Sequence, residues 1–353
     1  MANCSTTSAW ARITPTQQRS GHLNMASAPI WITEADVVGL ISLPEAIDAL
    51  EQTLALEAKD QAANLPKTHL MVAANDAMHA LGASVAGEGV CGFKTWINVQ
   101  GKSETTMTLF STEDGTCLAV IEATALGQMR TASVTGVGTK RLASAGANDM
   151  GIVGTGKQSL PQIAAVHAVR RLKEVRVSSR NRETRQKFAE HVTATLGIPT
   201  RAVETLEEAV TDTPLVTLIT NSTEAFLTAD MLAKGSHLNA MGAIVPSRVE
   251  FTDDVFARAD LIAVDSLRSI RDLSTEFRTH YSEDETAWKG VRTISSVIAG
   301  NETRPDNADV TLFKAMGMGI SDLALAVEIL KRARAANKGH KLPDRVKLPP
   351  RLM

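Results

Sequence analysis

The 353-residue sequence lacks most features that would single out a special class of protein. It has three cysteines, Cys4, Cys91 and Cys117, scattered and without a C-x-x-C pair. That excludes a disulfide framework and fits reduced thiols in a cytoplasmic protein. No apolar run approaches the ~20 residues of a membrane-spanning helix, so no membrane partner is expected. Charge of one sign is missing too: 37 Lys and Arg face 39 Asp and Glu. Such a balance gives no electrostatic case for nucleic acid or an anionic membrane. The eight histidines form no H-x-x-x-H pair, so no metal site is expected, and no G-x-S-x-G elbow is present. Acidic residues are absent before Glu34. Residues 1–28 read as a disordered extension, a start site placed ahead of Met25, or an acid-poor transit peptide, without the apolar core of a secretory signal.

What is present begins with length, which suffices for two domains with sizeable cores. Order should start at Ile30-Trp-Ile-Thr33. Ser42-Leu-Pro-Glu45 has capping-box spacing, and the helix after it puts Ile47, Leu50, Leu54 and Leu56 on one face, ending near Lys59. From Leu65 to Thr124 the period changes to that of strands: 69–73, 77–81, 90–99, 105–110 and 117–121, with short turns between them. Consecutive strands with short turns predict a mixed or antiparallel sheet. Ala123 to about Ala143 reads as a crossing helix. From Met150 the pattern is βαβα, with strands near 151–153, 174–177, 201–203, 215–219, 237–241 and 261–265. That predicts a doubly wound, mainly parallel Rossmann-type sheet beside a second α+β domain. The boundaries so read are 29–124 with 320–353 for a substrate and dimerisation domain, and 125–319 for the dinucleotide domain. The tail from Ala336 should be loosely packed or wrapped on the surface.

The stretch Asp149-Met-Gly-Ile-Val-Gly-Thr-Gly-Lys-Gln-Ser159 joins an apolar strand to a helix through Gly154-Thr-Gly156. Free N–H groups at a helix N-terminus favour an anion, which is the physics of a pyrophosphate site. Ser159 stands where the motif has its third glycine. About 20 residues on, where NAD sites carry a carboxylate, the tip reads Ser178-Ser-Arg-Asn-Arg182. Its guanidiniums and hydroxyls suit a 2′-phosphate, favouring NADP over NAD, unless the loop is simply a solvated basic turn. Lys94 sits mid-strand among apolar residues. It either faces solvent by alternation or belongs to a site, because an unpaired buried ammonium is costly. Arg130 lies among small and apolar residues at the domain junction. It offers bidentate carboxylate binding or an interdomain ion pair. Thr220, Asn221 and Asn239 follow parallel strands, at whose carboxyl ends such sheets bind ligands.

Several segments together resemble the ornithine cyclodeaminase/mu-crystallin family. They are Gly92-Phe-Lys94, Leu118 to Ala132, Gly151 to Gln158, Gly235 to Ala243 with Pro246 and Glu250, and Thr311 to Gly317 with Asp322. They run in order over roughly residues 30–335. The resemblance implies a homodimer paired through sheets, a Rossmann domain for NAD(H) or NADP(H), and a small imino or amino acid substrate. It implies that Lys94 and Arg130 contact the substrate carboxylate as the catalytic pair, with Lys67 and Gly317 also on the substrate side. Lys94 is further a candidate to polarise or protonate the reacting group. On the cofactor side it implies Thr131, the turn Gly154, Thr155, Gly156, Lys157 and Gln158, then Ser179, Arg180 and Asn181 at the adenosine ribose. Thr220, Asn221, Asn239 and Met241 fall toward the nicotinamide.

Three departures narrow this. Ile244 stands where cyclodeaminases of the family have an aspartate for the ornithine amine, and an isoleucine can neither act as a base nor bind an ammonium. Lys67 replaces an arginine, which keeps charge but loses the bidentate fork. The segment between Lys94 and Arg130 is short, leaving Thr105 or Thr106 to supply its hydroxyl. The expectation is an NAD(P)H-dependent reduction of a small α-imino acid, or amino-acid dehydrogenation, with hydride delivered to C2. The alternatives are a cyclodeaminating ammonia lyase with tightly held NAD and a crystallin-like nicotinamide-binding protein with vestigial activity.

Overall fold

The computed structural model describes residues 28–73, 76–282, 284–344 and 346–353. All but the last residue of the expected extension 1–28, and Cys4 with it, lie outside the described residues. Two eight-stranded sheets organise the chain. The first comprises β1 (Ile30–Ile32), β2 (Ala62–Asn64), β3 (Thr68–Ala73), β4 (Asp76–Val85), β5 (Val90–Val99), β6 (Lys102–Ser111) and β7 (Cys117–Glu122). The second comprises β8 (Asp149–Val153), β9 (Glu174–Ser178), β10 (Thr200–Ala202), β11 (Leu215–Leu218), β12 (Ser236–Ala240), β13 (Ala259–Val264), β14 (Arg292–Thr293) and β15 (Val310–Lys314). A last strand, β16 (His340–Lys341), returns to pair with β1. The tail is therefore more ordered than its composition suggests, although both strand residues are exposed.

The first sheet runs β16-β1-β7-β6-β5-β4-β2, with β3 also on β4, and β3 to β7 form an antiparallel meander. Alternation decides its faces. On β5, Val90, Gly92 and Lys94 are buried, whereas Phe93, Thr95, Ile97 and Val99 point out. The buried face is covered by helices Leu43–Glu57, Thr124–Leu142 and Gly319–Ala335. The first of these has the expected capping box at Ser42 and Glu45 and buries Ile47, Leu50 and Leu54. Leu56, expected with them, is only half-buried.

The second sheet is parallel throughout, in the order β10-β9-β8-β11-β12-β15-β13-β14. The chain enters at β8, builds outward to β10, then crosses back to β11. The strand order reverses between β8 and β11, which is where a doubly wound sheet opens a crevice at its carboxyl ends. The run from Ser266 to Gly300, where the sequence pattern predicts no element, holds four short helices and β14. Helix Thr124–Leu142 packs against helices of both layers and carries the chain between the sheets. Among the described residues, no helix is long and apolar enough to cross a membrane, and no group of His, Cys, Asp and Glu could hold a metal ion.

Candidate functional site

A cavity of about 600 Å³ lies between the inner face of the first sheet and the carboxyl ends of the second. From the first sheet come Lys94, Trp96 and Asn98 on β5 and Thr105 on β6. Gln128, Arg130 and Thr131 come from the linking helix. The turn 156–158, Thr220, Asn221, Met241, Ile244, Asp265 and Gly317 come from the strand ends of the second sheet. Lys67 and Arg248 add two further cations to the lining.

Lys94 does not face solvent. It is 4% exposed, and its Nζ donates to Asp322 Oδ1 at 2.6 Å. Arg130 Nε lies 3.2 Å from the same oxygen. Asp322 sits in the first turn of helix Gly319–Ala335, where the helix dipole favours a carboxylate. Two cations are thus held by one buried carboxylate. Burial pushes the Lys94 ammonium down to about 8, with Arg130 and Lys67 adding repulsion and Asp322 opposing. The indole of Trp96 lies 4.9 Å from the Lys94 ammonium and 5.9 Å from that of Lys67, in cation–π contact. Lys67 is lowered as well, first by burial and then by Arg130. It makes no ion pair within the described residues.

The loop after β15 closes this end. Asp265, buried at the end of β13, accepts from Met316 N at 3.0 Å and Gly317 N at 2.7 Å. Burial raises its carboxyl, and those amides oppose the shift. Gly317 has φ +90, and a Cβ there would come 3.1 Å from Arg130 Nη1. The backbone therefore lies directly on the guanidinium.

At the opposite end, Gly154 has φ +119, and a Cβ there would lie 2.5 Å from Ile219 O. Only glycine lets the ends of β8 and β11 approach so closely. Gly156 faces open space, and Gly156, Lys157 and Gln158 line the cavity ahead of helix Ser159–Arg170. Gln158 Oε1 is buried without a hydrogen-bond partner. An open, glycine-formed cradle of main-chain N–H groups at a helix N-terminus fits a dinucleotide pyrophosphate. Ser159, fully buried, is small enough to keep the helix against the sheet.

The expected residues are not all brought together. Lys67, Lys94, Arg130, Thr131, Gly156, Lys157, Gln158, Thr220, Asn221, Met241 and Gly317 share the cavity. Gly154 and Thr155 form the turn behind it. Ser179, Arg180 and Asn181 lie beyond it at the tip of β9. There the Asn181 side chain caps helix Arg182–Leu196 by accepting from Thr184 N at 2.8 Å, whereas Arg180 is exposed and unpaired within the described residues. Asn239 is the clear misplacement. It lies within β12 rather than past its end, fully buried. Its amide is taken up by His237 Nε2 at 3.1 Å and Thr139 Oγ1 at 3.1 Å. Burial drops His237 to about 3, so its neutral ring serves this internal network.

Sequence reasoning gave no role to Asp265, Trp96, Gln128 or Arg248, and none to Asp322 beyond its place in a motif. Asp265 ends an apolar strand and Asp322 opens an apolar helix, and both positions are signals for a carboxylate with a local task.

A switch-point crevice with a glycine cradle, facing a buried set of cations, defines an α/β protein of the dinucleotide-binding class. The sequence profile of the ornithine cyclodeaminase/mu-crystallin family matches residues 29–337, and the chain belongs to that family. It is 30% identical to an alanine dehydrogenase of Archaeoglobus fulgidus, over 88% of this chain and 97% of that one. It is 28% identical to a Delta(1)-pyrroline-2-carboxylate reductase of Bacillus cereus, over 65% of this chain and 70% of the other. Among solved structures, an archaeal alanine dehydrogenase dimer with bound NAD superposes with a TM-score of 0.82 at 28% identity, covering 90% of this chain and 99% of that one.

Proposed function

We propose that this chain, an NAD(P)-dependent oxidoreductase acting on C=N and CH–NH groups, reduces a small α-imino acid to the amino acid. One observation carries the reading: Lys94 and Arg130 converge on Asp322 in the same cavity that the glycine turn opens into. The named activities of the relatives support it.

With Nε in an ion pair with Asp322, the terminal nitrogens of Arg130 remain for a substrate carboxylate. Lys67, desolvated and unpaired within the described residues, is suited to the same carboxylate. Lys94, lowered to about 8 yet still charged at neutral pH, suits proton donation to the imine nitrogen. Asp322 fixes the direction of both cations. Gly156, Lys157 and Gln158 would hold the pyrophosphate of a reduced dinucleotide, and Thr220 and Met241 would face its nicotinamide, which would supply the hydride. Ile244 lines the cavity without a charge, which weighs against deamination of a diamino acid.

For the nucleotide, exposed Arg180 favours NADP, while Arg182, the other guanidinium of the tip, is paired with Glu204 at 3.5 Å. Titration with NADPH and NADH tests this, and a strong preference for NADH overturns it. The division into 29–124 with 320–353 and 125–319 remains our proposal, as does a homodimer. The latter is supported by the outward row Leu70, Met78, Phe93 and Ile97, 40–61% exposed on the first sheet. The central test is incubation with NADPH or NADH and a panel of cyclic imino acids, iminosuccinate, and pyruvate with ammonia. Loss of reduced-nicotinamide absorbance is expected with at least one. Silence across the panel while nucleotide binding is intact removes the reductase reading.

A further inference from the structure

Behind the nicotinamide-facing side of the cavity lies a buried acidic clamp that the mechanism above does not use. Glu250 is fully buried. Its Oε1 accepts from Thr220 N at 2.7 Å and Thr220 Oγ1 at 2.8 Å, and its Oε2 accepts from Gly242 N at 2.8 Å and Ala243 N at 3.1 Å. Thr220 follows β11, and Gly242 and Ala243 follow β12. A single side chain therefore ties together the two strand-end loops on that side. Glu250 is itself held from behind. Its N–H donates to Glu276 Oε1 at 3.2 Å, Ser274 Oγ donates to Glu276 Oε2 at 2.8 Å, and the fully buried Lys314 ammonium lies 3.6 Å from Glu276 Oε1. Thr275 adds a bond from its hydroxyl to Pro246 O at 2.6 Å, pinning the same loop.

We infer that Glu250 is a positioning residue for the nicotinamide half of the nucleotide, acting through the loops at Thr220 and Gly242. The inference rests on the nucleotide reading above. Four donors converge on two oxygens, which a carboxylate satisfies because it is acceptor-only. A glutamine would turn an NH2 toward N–H groups that have no other partner, and buried donors left unpaired shift their loops. Glu250 touches neither the turn at Gly154 nor the tip at Arg180. Loosening it should therefore disturb the nicotinamide end and spare the adenosine end.

The test is calorimetric titration of the whole protein with NADPH or NADH, and separately with ADP, which holds the adenosine and pyrophosphate but no nicotinamide. Glu250→Gln should weaken the reduced nucleotide by about tenfold or more, lower turnover at saturating nucleotide, and leave ADP binding unchanged. Glu276→Gln should act in the same direction to a smaller degree. Equal losses for both ligands, or no loss for either, overturns the inference. Should Glu250→Gln fail to fold, Glu276→Gln, which frees the Glu250 main chain and touches no residue lining the cavity, must show the selective loss; an equal or absent loss there overturns it too. If the unsubstituted protein binds neither NADPH nor NADH, the nucleotide reading itself fails and takes the clamp's role with it. That outcome is distinct from a clamp variant that binds normally.

Discussion

At the substrate end of the cavity the working groups are full charges on side chains. Lys94 and Arg130 share one oxygen of Asp322, and all three are buried or nearly so. At the nucleotide end the working groups are mostly main chain: the turn at Gly154 to Gln158, the start of helix Ser159–Arg170, and two loops tied by Glu250. A buried charge set holds only while each partner is present, since an orphaned buried charge is strongly penalised. A backbone cradle instead depends on shape. The two ends should therefore fail differently. Changing a charge should reach turnover and spare nucleotide binding, and changing a backbone angle should do the reverse.

The hardest blow to that contrast comes from Lys94→Met. With the proton donor gone, kcat/KM should fall by about 10²–10⁴. Affinity for the reduced nucleotide, measured by calorimetry, should stay the same. A parallel collapse of both would mean that the ends are not separable. The converse is Gly154→Ala. It forces an L-residue to φ +119 and puts a Cβ 2.5 Å from Ile219 O. Strain of about 1–3 kcal/mol, or about 5- to 150-fold in nucleotide affinity, is expected. Substrate KM at saturating nucleotide should be unmoved.

The same contrast explains what could be read from the sequence. Gly154 and Gly156 announced themselves because a backbone cradle needs particular residues close together in the chain. The parallel sheet was legible from its alternation with helices. Lys94 could be flagged but not oriented. Its partner, Asp322, lies 228 positions away in sequence, and no local pattern joins them. Asn239, although within the expected strand 237–241, was misread as reaching the ligand because what seals it is Thr139 of helix Thr124–Leu142, 100 positions away in sequence. Glu250 was visible as part of a motif, but its task depends on two loops meeting at one carboxylate. Local geometry is written locally, and a buried charge set is written only in the tertiary fold.

The pH dependence sharpens the substrate end. Lys94 must carry its proton to deliver it, and its ammonium is lowered to about 8. For reduction, kcat/KM should be level below about pH 8 and fall by about tenfold per unit above it. In the oxidative direction the neutral amine is required, so the rate should rise toward that pH and then level. Lys94→Arg should abolish the break in the accessible range, because a guanidinium does not titrate there. A break that persists in this variant would move the proton to another group.

The smallest effect lies behind the cavity wall and tests whether burial alone, without catalysis, marks the substrate end. Glu57 closes helix Leu43–Glu57 and accepts from Asn64 Nδ2 at 3.0 Å. Burial raises its carboxyl from 4.5 to about 7, with the charge of Asp265 adding and hydrogen bonds from Ser295 and Asn64 opposing. The folded value lies above the unfolded one, so the folded chain holds this proton more tightly. That stability is fully present below about pH 4.5 and is lost as pH rises through 7. Glu57→Gln removes the charge and keeps the shape. It should stabilise the protein by about 1–2 kcal/mol near pH 8 and make no difference near pH 4. Denaturant unfolding at the two pH values measures this. An equal gain at both would trace the effect to packing rather than to charge, and would leave Lys94, Lys67 and Asp265 as the groups at this end where burial is coupled to ionisation.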